Sequence, residues 1–177
     1  MSNQYNFNIR ILHWILALLF ITIFISGWFM VGLDDEIVSY KYDIYAVHKS
    51  FGIVALLLVL NRIIVRLNSS TPPYDNNISK ITLIIAQLTH FILYLLMIAV
   101  PLSGFLMSMT GGRDISLFGY IIPKFLPTNK DFAGLCHDIH VKIPYIMAAF
   151  VVLHILAAIK HYVIDRDNIW RRINFSK

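Results

Sequence analysis

The sequence predicts an all-α membrane protein, a four-transmembrane-helix bundle, and three observations predict it. Of its 177 residues 58% are hydrophobic and only 14% are charged, against the roughly one quarter charged of a water-soluble domain. Four apolar stretches each reach the about 20 residues that a helix needs to cross a hydrocarbon core about 30 Å thick. Unpaired backbone groups are not tolerated in lipid, so these stretches read as helices. The chain reads as one integral membrane domain over residues 1–177, without internal repeat or low-complexity tract. Its length and its lack of G-x-G-x-x-G, Walker, G-x-S-x-G and H-E-x-x-H patterns make soluble nucleotide or hydrolase chemistry a poor fit.

The first span, about Ile11 to Leu33, contains no formal charge, and His13 is its one ionisable side chain. It is longer than a signal-peptide core, has only Arg10 before it and lacks a small-residue cleavage site, so it reads as a retained helix. The second, about Ile44 to Leu67, carries His48 and Lys49 near its start, with Arg62 and Arg66 near its end, where long side chains snorkel to the interface. The third, about Ile81 to Met109, is free of formal charge but holds Gln87, His90 and a kink-prone Pro101. The fourth, about His140 to Ile164, contains His140, His154, Lys160 and His161. Trp14, Trp28, Trp170 and the cluster Tyr40, Tyr42 and Tyr45 fall near the span ends, as interfacial aromatics do.

Four crossings put both termini on one side. That side collects Arg10, Arg62, Arg66, Lys80, Lys160, Arg166, Arg171, Arg172 and Lys177, against Lys41, Lys49, Arg113, Lys124, Lys130 and Lys142 opposite. The larger basic share places both termini in the cytoplasm. The net charge of +5 is thus distributed along membrane faces, which favours a lipid surface and no nucleic acid.

Seven histidines and one cysteine, Cys136, set the remaining chemistry. A single cysteine excludes a disulfide framework, a Cys-ligated iron–sulfur cluster and haem attached through C-x-x-C-H. An imidazole in hydrocarbon is costly without a partner. One such residue alone is equally well a hydrogen bond between helices, so the weight falls on mutual position. His140 and His154 are 14 residues apart, almost four turns, and project from nearly one face about 21 Å apart. Chain direction matches His13 to the depth of His154 and His48 to that of His140. Two His/His pairs at two depths are what two six-coordinate b-type haems require. The reading is then a four-transmembrane-helix bundle holding two haems.

Other residues share these depths. His90 lies at cytoplasmic depth, where it bonds a haem propionate, lines a quinone pocket or replaces His13 as the ligand, in that order of preference. Arg62 follows His48 by 14 residues and reaches a propionate of the cytoplasmic haem, or else snorkels to headgroups. Gly27, Gly52 and Gly104 clear space for the outer macrocycle, or serve ordinary close helix packing. His137 rotates off the shared face and His161 lies beyond the cytoplasmic haem, so both stay unassigned and interfacial.

Read in order, the motifs are Ile11-Leu12-His13-Trp14, then Val47-His48-Lys49-Ser50-Phe51-Gly52 with Arg62 and Arg66, then Thr71-Pro72-Pro73. Gln87-Leu88-Thr89-His90 leads to Pro101 and Gly104, and His140 and His154 are followed by His161-Tyr162 and Asp167-Asn168. Over most of the chain this order and spacing resembles the prokaryotic cytochrome b561 family. The resemblance implies an integral bacterial inner-membrane cytochrome with two non-covalent haem b groups, ligated at His13, His48, His140 and His154. It implies electron exchange with the quinone pool, and it favours the type that oxidises superoxide on the outer face and reduces ubiquinone. No residue is assigned to catalysis. Lys41, Lys49, Arg113, Lys124, Lys130 and Lys142 are candidates for steering an anion to the outer face, although carboxylates accompany them there. A quinone site at the Thr71 to Tyr74 turn rests on depth alone.

Two rivals remain. A cytochrome b anchor subunit of a dehydrogenase or hydrogenase would bind the same haems and take electrons from a protein partner. The other is a histidine-lined metal transporter or a purely structural bundle without haem, against which the pairing at two depths speaks, since a transported ion needs one continuous polar path more than two matched clamps. The long stretch from Thr110 to Ile139 is apolar at Leu117-Phe118-Gly119-Tyr120-Ile121-Ile122 and either covers the outer haem or lies on the membrane.

Overall fold

Apolar runs of this length leave the backbone one way to satisfy itself in lipid, and a computed structural model shows the resulting helices. It describes residues 4–33, 38–74 and 78–175. Asp34 and Asp75 of the connections, Lys177 and the Tyr40 side chain lie outside the described residues.

Helices α1 (Phe7–Val31), α2 (Val38–Leu67), α3 (Lys80–Thr110) and α4 (Lys130–Lys160) form the bundle. All four are long and apolar enough to cross a membrane. Side-chain caps start three of them: Asn6 accepts from the Asn8 N–H, Ser79 from Thr82 and Asn129 from Phe132. Pro101 and Pro144 lie inside α3 and α4. Each lacks the N–H that would bond the carbonyl four residues earlier, which for Pro144 is that of His140.

The fourth helix corrects the expected boundary. It begins at Lys130 instead of His140, and its ten added residues rise about 15 Å. Hydropathy reports burial in lipid, whereas helix formation needs only paired backbone and a cap, which Asn129 and the first-turn Asp131 provide. The connection before it shortens accordingly and contains a hairpin of β1 (Ile115–Leu117) and β2 (Tyr120–Ile122). Its two-residue turn, Phe118-Gly119, has positive φ at both positions, 49° and 96°, the backbone of a type I′ turn.

Sequence neighbours pack as neighbours in space, α1 on α2, α2 on α3 and α3 on α4. Helix α1 faces α4 through ring contacts, Phe24 with Tyr145 at 5.7 Å among them. The small buried core consists of residues such as Ile9, Leu12, Leu16, Ala55, Val59 and Met109, while Leu18, Leu57, Ile84 and Leu153 are exposed. Apolar side chains that face outward all round the bundle are what a lipid solvent selects.

After α4 a π-helical turn, His161–Asp165, ends in Arg166 at φ 52°, and a short helix α5 (Ile169–Ile173) follows. Helix α5 returns across the end of the bundle that carries both termini. There Trp14 donates its indole N–H to the Ile173 carbonyl at 3.3 Å, and Tyr5 N–H bonds Arg172 O at 2.9 Å. Trp14 and Trp170 meet edge to face at 6.3 Å.

Candidate functional site

Histidines near opposite ends of three helices converge inside the bundle. His13 and His154, from α1 and α4, have ring centroids 6.2 Å apart with planes at 76°. His48 and His140, from α2 and α4, stand 6.1 Å apart at 84°. Two metal–imidazole bonds of about 2 Å, plus about 1 Å from each coordinating nitrogen to its ring centre, span about 6 Å. Both separations suit an iron held between two imidazoles. Helix α4 contributes one ring to each pair, which follows from its 14-residue spacing.

The pair away from the termini has orienting partners for both rings. Ser26 Oγ donates to the Ile23 carbonyl at 2.8 Å, so its lone pair is left to accept the His48 Nδ1–H at 2.9 Å. His140 Nδ1–H donates to the Val100 carbonyl at 2.8 Å, where Ser103 Oγ also donates at 2.8 Å. With the proton fixed on Nδ1, each Nε2 keeps its lone pair for a metal, the usual outer-shell arrangement of a ligating histidine.

A Ser-Gly pair builds each of these seats. A Cβ at Gly27 would stand 3.2 Å from His48 Cε1, and one at Gly104 only 2.6 Å from His140 Cε1. These glycines therefore seat the histidine rings themselves, which changes the reading of them as space for a macrocycle. A Cβ at Gly52 meets nothing within 4 Å. The repeated dipeptide, Ser26-Gly27 and Ser103-Gly104, was the available signal for these partners, and sequence reasoning took only its glycine half.

At the terminal end His90 of α3 stands 5.3 Å from His154. That is shorter than the about 6 Å two axial ligands need, so His90 touches His154 at its edge. Arg62 donates to the Ile9 carbonyl at 2.6 Å, one turn before His13. His161 Nδ1 lies 2.6 Å from Asp167 and 3.1 Å from Asp165, while His137 is exposed beside Asp138 at 3.8 Å. Neither joins the pairs.

The hairpin sits beside the His48/His140 pair. Ser50, two residues after His48, is buried, its hydroxyl 2.9 Å from the Ala46 and Ser116 carbonyls, and it accepts the Phe118 N–H at 3.0 Å. Phe51 meets Phe118 at 5.4 Å. A shallow cleft of about 330 Å³ opens there between Asp43, Val47 and Gly119. Of the cations on this face, Lys124 pairs with Asp114 and Lys142 with Asp138, which offsets their pull on an incoming anion.

The family model described as prokaryotic cytochrome b561 matches residues 4–175. Cytochrome b561 homolog 2 of Escherichia coli K12 is 31% identical over 169 residues, covering 91% of this chain and 86% of that one. The probable superoxide oxidase CybB of Yersinia pestis is 31% identical over 157 residues, 89% of this chain and 88% of its own. Cytochrome b561 homolog 1 of Escherichia coli K12 is 28% identical over 162 residues, 89% of each.

Proposed function

The chain belongs to the prokaryotic cytochrome b561 family of b-haem membrane electron carriers, and from that premise we propose that it holds two haem b groups and oxidises superoxide with ubiquinone. His48 and His140 would hold the outer haem, His13 and His154 the inner one, with Arg62 and His90 beside the inner group. The observation that carries the reading is the pair of matched histidine separations, 6.2 and 6.1 Å. When bound, each haem supplies a one-electron iron couple. The chain's own residues orient it: Ser26 and the Val100 carbonyl hold the outer imidazoles at Nδ1, and the apolar helices keep water from both depths.

In this reading both termini lie in the cytoplasm of a bacterial inner membrane, on the side with the larger share of Lys and Arg. Superoxide gives up one electron per molecule at the opposite face, beside the hairpin cleft. Two such electrons and two protons convert ubiquinone to ubiquinol. The name of the Yersinia pestis relative supports this donor over a protein partner.

The test is the absorption spectrum of detergent-purified protein before and after dithionite, with haem per chain. Two haems with reducible Soret and alpha bands are expected. Absent bands, or one haem per chain, would sink the reading. Rapid mixing with a superoxide source and ubiquinone then decides the donor: haems that stay oxidised exclude superoxide and leave the protein-fed anchor.

A further inference from the structure

At the terminal end of the bundle three arginines gather, and among the described residues no carboxylate pairs with any of them. Arg62 and Arg66 are one turn apart on α2, so their side chains share a face. Arg172 arrives from α5, beyond the last span, and is 4% exposed. Tyr5 ties two of the three together: the guanidinium of Arg66 lies 5.3 Å from its ring centre and that of Arg172 5.2 Å. Arg172 also stacks on Tyr74 at 3.9 Å and donates to the Pro72 carbonyl at 2.6 Å. Arg62 donates to the Ile9 carbonyl, one turn before His13, so the cluster adjoins the His13/His154 end of the bundle.

Cation–π contacts spread a charge but do not cancel it. Among the described residues the ion pairs involve Lys124, Lys142, Lys160, His137 and His161, and no arginine. The Arg172 Nε–H is buried with no hydrogen-bond partner among them. Burying a guanidinium beside like charges is costly unless a fixed anion compensates it. The chemistry that suits planar guanidiniums is an anion with paired oxygens, a carboxylate or a phosphate.

We propose that Arg66 and Arg172, with Arg62, form a carboxylate receptor beside the His13/His154 pair, and that it takes the propionates of the inner haem. The proposal rests on the two-haem reading above. It makes the helix that follows the last span part of a cofactor site, and it explains why the turn at Pro72 and Tyr74 is held against α5. Arg66 and Arg172 then bind the cofactor's periphery and set its potential. A nearby cation favours the reduced form, which carries one more electron, so removing it lowers the potential of that haem.

The test is an optical redox titration of the full-length detergent-purified protein, wild type against Arg66→Gln, Arg172→Gln, Arg172→Lys and the exposed neighbour Arg171→Gln, with haem per chain measured in each. Both glutamine variants should keep two haems and lower one of the two one-electron equilibria about tenfold, or about 59 mV, with the other unmoved. Arg172→Lys, which keeps the charge, should shift it less than about threefold, and Arg171→Gln should shift neither. Should Arg172→Gln fail to fold, Arg66→Gln decides on the same measurement. Two unmoved couples at full haem loading, or two that fall equally, overturn the proposal and leave the two-haem reading standing. A wild type without haem overturns that reading itself.

Discussion

Gly104→Ala separates a site built for a histidine ring from ordinary close packing of helices. The added methyl would stand 2.6 Å from His140 Cε1 and 2.8 Å from Nδ1, where ordinary contact begins at 3.4 Å, so the ring must retreat by about 0.8 Å. That retreat would strain the bond from His140 Nδ1–H to the Val100 carbonyl, 2.8 Å long and on the same helix as Gly104, and, were His140 a haem ligand, an iron–nitrogen bond of about 2 Å that does not stretch by so much. Overpacking of this kind costs about 1–3 kcal/mol, against about 1 kcal/mol gained by replacing a helical glycine with alanine. The companion variants grade the effect. Gly27→Ala presents a milder 3.2 Å approach to His48, and Gly52→Ala meets nothing within 4 Å. Haem per chain and the reduced alpha band of detergent-purified protein, with thermal unfolding alongside, are the readouts. The expected order of perturbation is Gly104→Ala, then Gly27→Ala, then Gly52→Ala, with the last unchanged or slightly more stable. Gly104→Ala carrying two haems with a wild-type spectrum would refute the reasoning, because the ring it displaces would then not be a ligand.

Three further outcomes follow from the same geometry. His13→Ala should leave one haem per chain whereas His90→Ala keeps two, since only the first ring stands at the about 6 Å separation that a shared iron requires; the reverse result would exchange their roles. Ser26→Ala removes the acceptor for His48 Nδ1–H at 2.9 Å and should cost about 1 kcal/mol while lowering the basicity of that ring. It is read as a changed low-temperature EPR signal for one haem of two, and an unchanged signal would argue against an orienting role. Ser50→Ala deletes the hydroxyl that holds the hairpin to α2 and should raise amide hydrogen exchange at Phe118 and its strand neighbours without loss of haem. Unaltered exchange would show that the Phe51–Phe118 contact alone suffices.

How much could be read along the chain depended on the kind of interaction. The four spans and both histidine pairs were legible because a helix has a fixed rise and rotation, so 14 residues place His140 and His154 on one face at two depths. Lipid removes the alternatives, since a polar side chain there must find a partner. Composition likewise left non-covalent b-type haem as the available haem chemistry once attachment through C-x-x-C-H was excluded.

What lay across the helices was decided only by the tertiary structure. That α4 starts at Lys130 depended on a cap and paired backbone, to which hydropathy is blind. That His13 stands 6.2 Å from His154 and His90 5.3 Å depended on how α1 and α3 turn their faces to α4, a difference that no periodicity encodes. The same holds for Ser26 against His48 and Arg172 against Tyr5, contacts between residues far apart in sequence. Local geometry fixes which side chains share a face and a depth, and packing alone fixes which of them meet.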